Sequence, residues 1–78
     1  MPSIVSPAHA VFGQTVRTNR TDRGWSQQGL ADRAGLHRNY VGAVELGRRN
    51  VSLRNMLALA RALDMPLAEL VREVDADS

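Results

Sequence analysis

Cysteine is absent from the 78 residues, which removes disulfides, thiolate zinc sites and cysteine nucleophiles together. Lysine is absent as well, so all ten basic side chains are arginines. The aromatics are only Phe12, Trp25 and Tyr40, and the two histidines, His9 and His37, stand too far apart in the chain to suggest a metal pair. No apolar run approaches the roughly 20 residues of a membrane span. Met1 to Val11 lacks the charged start and long apolar middle of a signal peptide. The expectation is a protein that avoids membranes and stays in the cytoplasm. An enzyme reading fails for want of parts: there is no glycine-rich phosphate loop, no Ser/His/Asp set with plausible reach, no metal cluster and no pair of carboxylates on one apolar wall. No cofactor, metal or small-molecule ligand is therefore expected.

What is present begins with charge. The net charge of +2 hides an asymmetry. Residues 1 to 61 carry nine arginines against Asp22, Asp32 and Glu45, or +6, whereas residues 62 to 78 carry Arg72 against Asp64, Glu69, Glu73, Asp75 and Asp77, or −4. A basic body with an acidic tail suits a polyanionic partner for the body and a tail turned away from it. A chain of this length buries only about 60–65% of its unfolded surface, which favours an oligomer.

Apolar residues recur at helical spacing, with no strand signal and no repeat, and predict five helices. Residues 1–5 read as a flexible arm, 6–74 as the folded domain and 75–78 as an acidic tail. Ser6-Pro7 starts a helix carrying Ala8, Phe12 and Val16 that should end between Asp22 and Gly24. Asn19 is expected at the edge of the core with a hydrogen-bond partner. Ser26 caps the second helix, and Trp25 before it should pack back on the core as a hydrophobic staple. Ser52 caps a stripe of Leu53, Met56, Leu57, Ala60 and Leu63, expected to be the central buried helix. Pro66 opens a last helix with Leu67, Leu70, Val71 and Val74. That stripe is wider than one small domain can cover, so it is the expected dimer interface.

The stretch Gln27 to Leu46 organises the rest. Leu30, Ala31 and Ala34 form one short stripe, and Val41 and Val44 another. Gly35 lies between them, where a left-handed residue can end a helix and turn the chain sharply. Counting Gln27 as first, the small Ala31 is fifth, Gly35 ninth, Val41 fifteenth and Val44 eighteenth, with Gly24-Trp25-Ser26 before and Glu45-Leu46-Gly47-Arg48-Arg49-Asn50 after. This pattern resembles the phage-repressor and Cro-like helix-turn-helix family over residues 12 to 71. The run from Arg38 to Asn55 is most similar to the small controller proteins of restriction-modification operons and their stand-alone relatives.

The resemblance implies an all-helical repressor-like domain that binds double-stranded operator DNA as a homodimer and regulates transcription. The second motif helix would enter the major groove by its N-terminal end. Arg38, Asn39, Gly42 and Ala43 are the residues not spent on the core: Arg38 has donors for guanine, Asn39 for adenine, and Ala43 a methyl for thymine. Gln27, at a helix start that favours anions, together with Tyr40, Arg48, Arg49 and Asn50, would hold the DNA backbone. His37 stands at the N-cap of the second motif helix, as a surface cap. Arg20 and Glu45 are placed by the resemblance as an ion pair that orients the reading helix. A rival from another class is a protein-binding module on the same fold, such as an antitoxin or regulatory adaptor.

Overall fold

The structure, a computed structural model, describes residues 3–77. The first two residues of the expected arm and the last of the expected tail lie outside them. Three helices begin on serine, and in each the hydroxyl accepts from the backbone N–H three residues on: Ser6 from His9 at 3.3 Å, Ser26 from Gly29 at 3.0 Å and Ser52 from Asn55 at 3.1 Å. Each bond satisfies a first-turn donor that a helix cannot pair internally. The caps start α1 (Pro7–Asp22), α2 (Gln27–Ala34) and α4 (Leu53–Ala62), and α3 (Arg38–Glu45) lies between the last two. Gly35 ends α2 in the left-handed region, at φ +69° and ψ +33°, and the chain turns there while Leu36 N–H bonds Ala31 O at 2.9 Å.

The core gathers Phe12 and Val16 of α1, Leu30 and Ala31 of α2, Val41 and Val44 of α3, and Leu59, Ala60, Leu63 and Leu70 beyond them. Trp25 packs against it, half-buried, with the Arg33 guanidinium 3.9 Å from the ring centroid. Asn19 sits at its edge, donating from Nδ2 to Thr15 O at 2.9 Å. The arm is tied at its inner end, where Val5 N–H donates to Gly47 O at 2.7 Å.

Three expectations need correction. The buried face of α4 is phased on Leu59, Ala60 and Leu63, while Leu53 is 61% exposed and Met56 and Leu57 are half-buried. Helical side chains lean towards the N-terminus, so Leu53, the first residue of α4, overhangs the core's edge. The expected fifth helix runs as two segments, α5 (Leu67–Leu70) and α6 (Arg72–Asp77), making six in all among the described residues. Val71, at φ −102° and ψ 3°, interrupts it. Leu70 is fully buried within the single chain, so it fills the core and cannot serve as a contact to a second copy. Leu67, Val71 and Val74 are half-buried.

Candidate nucleic-acid interface

The pair α2 and α3 is held from behind by α1. A Cβ on Gly13 would stand 2.7 Å from Glu45 O and closer still to Val44 O, so α1 lies directly on the backbone at the end of α3. The same end carries the expected ion pair. Arg20 Nε donates to Glu45 Oε2 at 2.6 Å and Nη2 to Oε1 at 2.9 Å, a two-pronged contact of the kind only a guanidinium makes. A third donor, Nη1, reaches Trp25 O at 2.8 Å. The side chains are 11% and 2% exposed. The hydrogen bond to Glu45 raises the Arg20 pKa above its ordinary value against the opposing effect of burial, with the carboxylate's charge adding to the rise.

Gln27 belongs to this network. Its Nε2 donates to Glu45 Oε1 at 3.1 Å, and its amide lies across Gly42, where a Cβ would come within 3.3 Å of Gln27 Oε1. The side chain expected to reach a phosphate thus also links the start of α2 to the end of α3, Glu45 taking one of the two N–H donors of its amide. Gly42 is half-buried beside that amide and is not the open flat surface expected.

At the opposite end of α3, Arg38 and Asn39 are exposed in its first turn, and Ala43 is half-buried one turn on. His37 occupies the N-cap position, as expected, yet its side chain makes no capping bond. An imidazole lacks the short side-chain oxygen that reaches back to a first-turn N–H. The positive end of α3 therefore opens beside two side chains rich in donors. Arg48, Arg49 and Asn50 follow α3, all exposed. Tyr40 connects the two groups: Arg49 Cζ lies 5.2 Å from its ring centroid, and its hydroxyl accepts from Asn55 Nδ2 at 3.0 Å and lies 3.5 Å from Asn50 O.

Two further residues enter the site's framework without any signal in their own stretch of sequence. Asn55, in the first turn of α4, reaches back to α3 through Tyr40. Arg23 Nη2 donates to Leu63 O at 2.7 Å and so places a cation on the negative end of α4. Both bonds cross the fold, and neither is visible as spacing. Among the described residues no group of His, Asp or Glu is arranged to hold a metal, and no helix is long and apolar enough to cross a membrane.

Two helices joined at a left-handed glycine, the second braced at its end and open at its start, define a helix-turn-helix. Residues 16–70 match the helix-turn-helix family model, and the chain belongs to that phage-repressor-like family of DNA-binding transcription regulators. Among solved structures it is similar to the restriction-modification controller protein C.AhdI from Aeromonas hydrophila, with 55% identity, a TM-score of 0.78, and 80% of this chain and 94% of that one covered. Control protein C.SmaI of Serratia marcescens is 39% identical over 61 residues, which span 78% of this chain and 73% of the relative. Control protein C.BamHI of Bacillus amyloliquefaciens is 40% identical over 62 residues, or 78% and 76% of the two chains.

Proposed function

We propose that this regulator binds operator DNA as a homodimer and acts as a controller of a restriction-modification operon, its own promoter included. The observation that carries the reading is the exposed pair Arg38 and Asn39 at the uncapped start of a helix whose far end is fixed by Arg20, Glu45 and Gln27. Arg38 and Asn39 read base edges, with Ala43 against a thymine methyl, while Tyr40, Arg48, Arg49 and Asn50 hold phosphates. Dimerisation through α5 and α6 is supported by half-buried Leu67, Val71 and Val74, the last two lining a shallow apolar groove of about 170 Å³ with Phe12 and Met56. The reading places the protein in the cytoplasm, with regulation set by its own concentration and no ligand.

One feature favours the protein-binding rival. Leu46 and Leu53, either side of the turn after α3, are 49% and 61% exposed, which suits a protein surface better than a phosphate backbone. Selection of DNA from a random pool separates the two. The DNA-binding reading predicts an enriched two-fold-symmetric sequence with half-sites about 10 base pairs apart, or a multiple of one turn, and a dimer by sedimentation. An unenriched pool, with no retention of any duplex at low salt, would hand the case to the protein partner.

A further inference from the structure

We infer that Asn55, on a helix outside the reading pair, is a positioning residue for DNA binding: it sets the hydrogen-bond polarity of Tyr40 so that the phenolic proton faces a phosphate. The inference rests on the DNA-binding reading and extends it to a residue with no place in the helix-turn-helix itself. The Ser52 hydroxyl takes the Asn55 backbone N–H at 3.1 Å and fixes the first turn of α4. From that turn the Asn55 amide nitrogen donates to the Tyr40 oxygen at 3.0 Å. A phenol has one proton to give and an oxygen that accepts. With the oxygen engaged by Asn55, what remains to the hydroxyl is donation. Its neighbour inside the chain, Asn50 O, lies 3.5 Å away, at the outer limit of a hydrogen bond, and holds the proton weakly. The Arg49 guanidinium lies over the same ring, 5.2 Å from its centroid, and brings a cation to this side chain. A phosphate at Tyr40 meets an oriented donor, with the Arg49 charge on the same side chain's ring. The orienting group comes from α4, so seating of the α3–α4 turn and phosphate recognition are one event.

Bond polarity makes the inference separable from a merely structural role. Four proteins are compared on the selected duplex: the parent, Tyr40→Phe, Asn55→Leu and the double variant, with thermal midpoints recorded for each. Loss of a hydrogen bond to a charged group corresponds to roughly a tenfold or greater loss of affinity per half-site. Tyr40→Phe should show it, Asn55→Leu should show most of it, and the double variant should bind no more weakly than Tyr40→Phe alone. Asn55→Asp supplies a variant that folds, because an acid in the first turn of α4 complements the helix dipole. Its carboxylate accepts the phenolic proton and turns it away from the DNA. Asn55→Asp should therefore weaken the parent by a larger factor than it weakens Tyr40→Phe, where only charge repulsion remains. Equal losses in the two backgrounds, unchanged affinity in Asn55→Leu, or multiplying losses in the double variant would overturn the role of Asn55 while leaving DNA binding intact. A parent that binds no DNA would overturn both.

Discussion

Replacing Arg20 by alanine deletes two bonds to Glu45 and one to Trp25 O, and leaves a carboxylate that is 2% exposed with the Gln27 amide as its remaining donor. Removing one partner of a buried ion pair costs about 3–5 kcal/mol, because the other charge stays desolvated and unmatched. The 11% exposure of Arg20 and the surviving Gln27 bond put this case at the lower end, about 3 kcal/mol. For a domain of this size each kcal/mol moves the midpoint by about 4–8 °C, so a fall of about 12–24 °C is expected. Thermal unfolding followed by circular dichroism reads it directly, at one fixed protein concentration, since association would make the midpoint depend on concentration. Adding Glu45→Gln to Arg20→Ala removes the stranded charge and should recover a good part of the loss. The raised Arg20 pKa sets the sign of the pH dependence: its contribution is fully present below the ordinary guanidinium range and disappears only as pH rises through the raised value. Titrating Arg20 therefore leaves stability unchanged near neutral pH. A loss within about 0.5 kcal/mol, the range of ordinary surface changes, would refute the bracing role.

Gly13→Ala should destabilise by about 2 kcal/mol or more, since its methyl meets the α3 backbone and the two helices must part; denaturant titration checks it. Gly29→Ala should stabilise by about 0.5–1 kcal/mol in the same titration, because the new methyl meets only ordinary neighbours at 3.4 Å and beyond and α2 gains a better helix former. Leu70→Glu should unfold the chain, the carboxylate having no buried partner, whereas Val74→Glu, at a half-buried position, should keep the helical signal and sediment as a monomer. A folded Leu70→Glu would place that side chain outside the core.

Local chemistry explains which parts of the fold are legible in the sequence. Ser6, Ser26 and Ser52 each mark a helix start, and Gly35 the turn, because caps and left-handed residues act within four residues of chain. The core positions of the motif follow from helical periodicity. Periodicity names a face and not its partner, which is why Leu70 reads as an interface residue although its own core covers it. The interruption at Val71 has no proline or glycine beside it to signal it in the sequence. Gln27 shows the same limit within the site. A helix start suited to anions is legible, whereas the nearby carboxylate that takes up its amide comes from residue 45 and appears only in the folded chain.

Arg38 and Arg49 should differ in kind when removed, because one is assigned to a base and the other to the backbone. Affinity of the parent, Arg38→Ala and Arg49→Ala is measured against salt on the selected duplex and on a scrambled one. Arg38→Ala should cost about 1–3 kcal/mol on the selected duplex and relax the preference at one base pair per half-site, with binding to scrambled DNA much less affected. Arg49→Ala should weaken both duplexes nearly equally and lower the salt slope by about 1 for each phosphate it no longer neutralises. Identical behaviour of the two variants on the two duplexes would contradict base reading by the open end of α3.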